Sequence, residues 1–303
     1  MNLGYIDYLN CYPFYYHMFE IEPLPGVRVI PGYPSELNRM MEKGELDMSP
    51  ISAATYADLE EEIVLLPDFC LSSVGYVHSV ILSSNIPIEE LHGKKVGLSS
   101  ASQTSVVLLK MILRKYYGIE PLYVSTPPNP SLKGQGIDAA LIIGNEAMMQ
   151  ELSSYTYDLG DLWLRKTGYP VVFAVFAIRE SLAGTYFSMI KSVIDSYRKS
   201  LACLDLGGET LIRKARERYP SVRYNIDAYY RVLKYSFNPG LRGAFTFYLQ
   251  SAGEMGLLKK VGAENFLDKF WTANGTCKPA RNDAVRKHGY TEGKDIRGAA
   301  DQP

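Results

Sequence analysis

An asparagine in a strand-to-helix turn, two hydroxyl-rich segments and one carboxylate are the side chains of this chain best suited to chemistry. Asn10 stands in Asp7-Tyr8-Leu9-Asn10-Cys11-Tyr12-Pro13. Its amide offers both donor and acceptor to a molecule in a cleft, or caps the helix that follows. Ser49-Pro50-Ile51-Ser52 ends an apolar run; hydroxyls and freed backbone N–H groups there suit an acid group as well as they suit helix capping. Ser99-Ser100-Ala101-Ser102-Gln103-Thr104-Ser105 opens the best amphipathic helix in the chain. Unpaired N–H groups and the positive dipole end point at whatever sits there, and Ser100, Ser102, Thr104 and Ser105 add donors. The Gly-x-x-x-x-Gly-Lys spacing of a nucleotide loop is missing, so a carboxylate fits better than a triphosphate. Two or three charge-assisted hydrogen bonds, each contributing roughly 1.5–3 kcal/mol, hold a carboxylate without an arginine. In Gly144-Asn145-Glu146, Asn145 is a further binding candidate and Glu146 an acid or base if it faces the cleft. The alternative for Glu146 is a surface carboxylate at a helix start. His17, in the first helical segment, is a second candidate base.

Each of these segments follows the end of a short apolar run, where open α/β sheets place their ligands. Runs at 3–6, 27–30, 46–49, 77–83, 95–98, 123–124, 137–143 and 171–178 alternate with helical patterns, which predicts a largely parallel sheet covered by helices. Ser35 reads as the N-cap of a helix over 35–43. From 183 to 265 the pattern is helical, including one helix over 226–235. The polar tail from about residue 272 is expected to be poorly ordered. The two long runs, 77–83 and 171–178, are expected to be crossings between two α/β lobes. Residues 1–83 and 177–303 would form one lobe and 84–176 an inserted second lobe, with the ligand between them and closure by hinge motion; two separate consecutive domains are the alternative.

At 303 residues, 47% hydrophobic and 21% charged, the chain has room for two ordinary cores. A formal net charge of -1 gives no field favouring nucleic acid or an anionic membrane, so any anion-binding must be local. No apolar stretch approaches the roughly 18–20 residues of a membrane helix. The start, Met1-Asn2-Leu3-Gly4-Tyr5-Ile6, enters a strand with no basic or apolar leader, which reads as cytoplasmic. Cys11, Cys70, Cys203 and Cys277 contain no C-x-x-C and read as reduced thiols. They and His17, His78, His92 and His288 show no metal-ligand spacing, so no metal site is expected. Of 23 tyrosines, five crowd the start at Tyr5, Tyr8, Tyr12, Tyr15 and Tyr16. That suits either packing or a pocket for a cyclic organic molecule.

The order of several motifs resembles the chorismate dehydratase family of menaquinone biosynthesis. They are Leu9-Asn10-Cys11-Tyr12-Pro13, Ser49-Pro50-Ile51-Ser52, the Ser-x-Thr-Ser core within 99–106, and 122–130. Leu159-Gly160-Asp161-Leu162-Trp163 and Thr167-Gly168-Tyr169-Pro170-Val171-Val172-Phe173-Ala174 add a further block, and the likeness runs from about residue 2 to about 260. It implies the two-lobed, type II fold of periplasmic solute-binding proteins. It also implies loss of water from chorismate, a small dicarboxylate, to give 3-[(1-carboxyvinyl)oxy]benzoate, with no metal or organic cofactor. Asn10 would be the cleft asparagine of the reaction. Residues 100–105 would be the substrate loop, with Ser49 and Ser52 contributing from the other lobe. The base would be a side chain such as His17 or Glu146, or the substrate's own enolpyruvyl carboxylate. Two alternatives stand beside this reading. One is the sister lyase acting on cyclic dehypoxanthine futalosine, whose turn after strand one is usually acidic and contains proline, unlike Leu9-Asn10-Cys11. The other is a non-catalytic binding protein for a small carboxylate.

Overall fold

The first short apolar runs become strands β1 (Asn2–Ile6), β2 (Arg28–Gly32) and β3 (Met48–Ser52), which pair in parallel with β1 in the middle. This is seen in a computed structural model that describes residues 1–130, 132, 136–149, 151 and 153–269. After β4 (Ile63–Ser73) the chain leaves this sheet and builds a second one from β5 (Val80–Ser84), β6 (Lys95–Ser99), β7 (Leu122–Thr126), β8 (Ala139–Ile143) and β9 (Tyr155–Asp158). Its strand order is β7-β6-β8-β5-β9. The chain then returns as β10 (Val171–Arg179), antiparallel between β3 and β4, and β11 (Leu233–Ser236) completes the order β11-β4-β10-β3-β1-β2. Both sheets are mixed rather than largely parallel as expected, because β10, β11 and β5 run antiparallel to their neighbours, and the fold is α/β.

Ten α-helices are described: α1 (Tyr12–Glu20), α2 (Pro34–Glu42), α3 (Tyr56–Leu59), α4 (Gln103–Met111), α5 (Gly144–Ala147), α6 (Leu159–Thr167), α7 (Phe187–Asp205), α8 (Glu209–Arg218), α9 (Ile226–Val232) and α10 (Pro239–Glu254). Their starts follow local chemistry. Ser102 caps α4 by accepting from the Ser105 N–H at 3.2 Å, and Asn238 caps α10 with Pro239 in its first turn. Gly168, left-handed at φ +77°, ends α6. Helix α1 lies against α7, and the space between them and the first sheet is filled with rings. Phe14 and Phe176 stand 4.4 Å apart between centroids, Tyr15 and Tyr197 5.2 Å, and Tyr5 and Tyr15 4.6 Å. Most of the early tyrosines are therefore core.

Several expectations are corrected. Of the run at 77–83, only residues 77–79 lie in the outgoing crossing while Val80 onward is β5 of the second sheet, and 171–178 is β10, wholly in the first; a division at 83/84 and 176/177 would cut both strands. We place the crossings instead between Ser73 and Val80 and between Thr167 and Val171. The helix expected over 226–235 stops at Val232 and gives way to β11, and strands β4 and β9 were not anticipated. The cap of α2 is Tyr33 rather than Ser35, with the Glu36 carboxylate accepting the Tyr33 N–H at 2.9 Å. The tail from residue 272, with Cys277 and His288, lies outside the described residues.

The outgoing crossing is tied to the second sheet by one buried carboxylate. Asp158 Oδ2 accepts the N–H groups of Val77 (3.0 Å) and His78 (2.7 Å), while Oδ1 accepts those of Gly160 (2.9 Å) and Asp161 (3.2 Å) and caps α6. Next to it, His78 is held at φ +62°, a left-handed conformation uncommon without glycine. Its ring is stacked on that of Tyr76.

Candidate active site

The turn after β1 and the start of α4 meet across one cavity. Its enclosed volume is about 40 Å³. Asn10, Ser52, Ser79, Ser102 and Ser105 supply its polar groups, and Ile6, Leu71, Val77, Val80, Ile143 and Phe173 are among its apolar walls. Among the described lining residues none carries a formal charge at neutral pH, and Tyr8 alone has a side chain that titrates in water.

Each polar group is set by its element. Ser102 and Ser105 stand three residues apart, on one face of the α4 start, and their hydroxyls are 3.1 Å from each other. Ser52, at the end of β3, is gripped from both sides by Asn38 of α2. Its N–H donates to Asn38 Oδ1 and its Oγ accepts from Asn38 Nδ2, both at 3.0 Å. The same Nδ2 reaches Gln103 Oε1 at 3.0 Å, so Asn38 ties both lobes to the cavity wall. Asn38 was not among the expected residues; a buried asparagine between Leu37 and Met41 on the apolar face of α2 was its signal. Asn10 Oδ1 is buried and has no hydrogen-bond partner among the described residues. Its amide acts on Tyr229, whose phenol burial pushes up and whose hydroxyl donates to Ser79 Oγ at 2.7 Å.

The other expected residues serve elsewhere. Ser49 donates to the Pro50 carbonyl at 2.8 Å and packs against Gly4, where a Cβ would stand 2.1 Å from its Oγ. Ser100 is exposed on an outer groove with Arg39. Thr104 accepts from the Ala54 N–H at 3.2 Å and donates to the Phe173 carbonyl at 3.0 Å, joining the lobes rather than facing the cavity. Asn145 accepts the Leu9 N–H at 2.9 Å and so steadies the turn that carries Asn10. His17 faces α7, where its own N–H donates to Ser200 Oγ at 2.7 Å, and it does not line the cavity. Glu146 lies in a neighbouring open cleft with Asp7, Tyr33 and Arg218. Tyr8, missed in the sequence, lines both spaces.

Gly144 is the floor beneath Tyr8. It sits at φ +65°, and a Cβ there would come 2.4 Å from the Tyr8 ring. Gly144→Ala is therefore expected to cost about 1–3 kcal/mol through backbone strain and overpacking. Urea denaturation measures this, and an unchanged midpoint would contradict the packing.

Among the described residues, no group of three His, Cys, Asp or Glu is placed to hold a metal ion, and no helix is long and apolar enough to cross a membrane. Cys11, Cys70 and Cys203 are free thiols.

Residues 1–254 match the family model described as menaquinone biosynthesis. The chain belongs to the menaquinone biosynthesis family. A family relative from Thermus thermophilus named chorismate dehydratase is 32% identical over 195 residues, 58% of this chain and 69% of the relative. A second Thermus thermophilus protein, named 1,4-dihydroxy-6-naphtoate synthase, is 25% identical over 176 residues, 55% of this chain and 59% of its own. Among solved structures, protein AF1704 from Archaeoglobus fulgidus superimposes with a TM-score of 0.68 at 19% identity, covering 85% of this chain and 98% of that one. The periplasmic aliphatic sulphonate binding protein SsuA from Escherichia coli gives 0.60 at 15% identity, covering 99% and 97%. This family member thus has the two-lobed fold of periplasmic binding proteins, as the sequence led us to expect.

Proposed function

We propose that this family member is a chorismate dehydratase, removing water from chorismate to give 3-[(1-carboxyvinyl)oxy]benzoate in the cytoplasm. The observation that carries the reading is the unpartnered, buried Asn10 Oδ1 in a cavity shared with the capped start of α4. A buried acceptor left alone costs roughly 1–3 kcal/mol, which a ligand hydroxyl would relieve. The apolar walls suit a six-membered ring. Hydroxyls of Ser102 and Ser105 and the free N–H groups of α4 suit carboxylates without a fixed cation.

The chemistry asks for little. The hydrogen at C3 is acidified because its carbanion is conjugated to the ring carboxylate, and expulsion of the C4 hydroxyl makes the ring aromatic. The elimination is redox-neutral and calls for no redox cofactor. With no carboxylate, imidazole or amine among the described lining residues, the substrate's enolpyruvyl carboxylate serves as base. The protein then contributes orientation, with Asn10 aligning the reacting hydroxyl, and exclusion of bulk water.

The test is direct: incubate the purified chain with chorismate and follow products by mass spectrometry. A product lighter by one water is expected. Tight binding without turnover would mark a binding protein instead, and no binding at all would point to the cyclic futalosine lyase.

A further inference from the structure

Tyr8 stands between the enclosed cavity and the open cleft and lines both. Gly144 lies against one side of its ring, and the Tyr33 ring meets it edge-on at 5.8 Å. Two residues beyond Gly144, the Glu146 carboxyl reaches the same place from the cleft side, with Oε1 accepting from the Tyr33 hydroxyl at 3.4 Å. The Tyr8 hydroxyl and Glu146 Oε2 are both buried, and neither makes a hydrogen bond of ordinary geometry. They nevertheless act on each other electrostatically. A single phenol thus links the reaction space to a carboxyl that borders solvent.

We propose that Tyr8 protonates the departing hydroxyl of the substrate and that Glu146 resupplies Tyr8 from the open cleft. This rests on the dehydratase reading and adds to it the missing acid. Hydroxide is a poor leaving group, and a positioned acid accelerates such departures by roughly 10²–10⁴-fold. In the step, the C3–H electron pair becomes ring π-bond, and the C4–O bond breaks with its electrons on oxygen. That oxygen takes the Tyr8 proton and leaves as water. Neutral Glu146 passes its proton to Tyr8 and regains one from solvent, while the C3 proton, taken by the substrate carboxylate, is returned to solvent. Tyr8 is the catalytic residue, and Glu146 is a positioning residue that acts through it.

Burial holds the Glu146 carboxyl above the ordinary carboxylate range, against the lowering by its own N–H and by the Tyr8 and Tyr33 hydroxyls, which favours the proton-bearing form. Burial and the nearby Glu146 likewise raise Tyr8, so the phenol keeps its proton until a partner replaces it. The other charged or titratable groups facing the pair are Asp7 from the β1–α1 turn, Tyr33 and Glu36 from the α2 start, and Arg218 and Tyr219 from the end of α8. Arg218 pairs with Asp7 at 3.5 Å.

Steady-state kinetics on chorismate across pH test this with the full chain and the variants Tyr8→Phe and Glu146→Gln. Tyr8→Phe is expected to lower kcat roughly 10²-fold with KM changed less than about threefold. In the parent protein kcat should fall as pH rises through the raised Glu146 pKa, because the ionised carboxyl has no proton to pass. Glu146→Gln should lower kcat roughly tenfold and abolish that alkaline limb, which a purely structural role would leave in place. A Tyr8→Phe enzyme of near-parental kcat, or an alkaline limb that survives in Glu146→Gln, overturns the relay and leaves the dehydratase reading standing. If the parent protein binds but does not convert chorismate, the reading itself falls, and the relay with it.

Discussion

Asn10→Ala is expected to lower kcat roughly 10²-fold, the usual consequence of deleting one preorganised polar contact to a reacting group. Asn10 Oδ1 has no protein partner among the described residues, so removing the side chain costs the protein only the amide's contact with the Tyr229 hydroxyl, which keeps Ser79 Oγ as a partner. What it removes is the acceptor that a substrate hydroxyl would meet. Folding should survive, because the turn itself is held by the Leu9 N–H to Asn145 Oδ1 bond and by the Tyr230 hydroxyl donating to the Leu9 carbonyl at 3.1 Å. Kinetics and a thermal melt of the same preparation separate the two effects. A variant within threefold of the parental kcat would remove Asn10 from the reaction.

The largest loss of stability is expected at Asp158. Its carboxylate accepts four backbone N–H groups, two from the outgoing crossing and two from the first turn of α6. Asp158→Ala leaves buried donors unpaired and removes a helix cap, together about 3 kcal/mol or more. Asp158→Asn retains one acceptor oxygen, so about half the loss is expected, since one oxygen can still serve a pair of donors. Denaturant titration reads both. Because Val77, Ser79 and Val80 line the cavity, loosening that crossing should also raise KM for the proposed substrate, chorismate. Equal stability of the alanine variant and the parent would show that these four contacts do not anchor the crossing.

How much was legible in the sequence depended on whether a residue's neighbours in the chain decide its surroundings. The run at 171–178 is apolar at every position, which only a strand covered on both faces requires, and it became β10. The start of α4 was equally readable, since Ser102 can cap and Ser105 falls on the same face. Strand β4 was hidden by Pro67-Asp68, a turn-like pair; its ladder with β10 is interrupted there, from Cys70 opposite Val175 to Leu65 opposite Ala177, and the irregularity tolerates the proline. Strand β11 was masked because Tyr229, Tyr230 and Leu233 continue a helical spacing across the break at Val232.

In the site, residue type pointed to hydroxyls but not to their direction. Ser49 and Ser52 differ by three positions in one strand, so they could not both face the same side, and the rule of alternation was the unused signal. Thr104 and Asn145 serve backbone groups of other elements, which no local pattern reveals. Tyr8 could not be told from its neighbours Tyr5, Tyr12, Tyr15 and Tyr16 until the second sheet brought Gly144 beneath it.

The uncharged wall of the cavity bears on what can compete for it. A site built around a lysine or arginine attracts phosphate, sulfate and every other abundant inorganic ion, and its occupancy rises and falls with the salt around it. A recess of hydroxyls, one amide, the first N–H groups of α4 and hydrocarbon offers such compact, strongly hydrated ions hydrogen bonds but no counter-charge against their lost water. Only a guest that brings hydrocarbon surface along with its acid groups recovers that loss on the same walls. Discrimination against the bulk ions of a living cell would then rest on solvation rather than on a fixed charge.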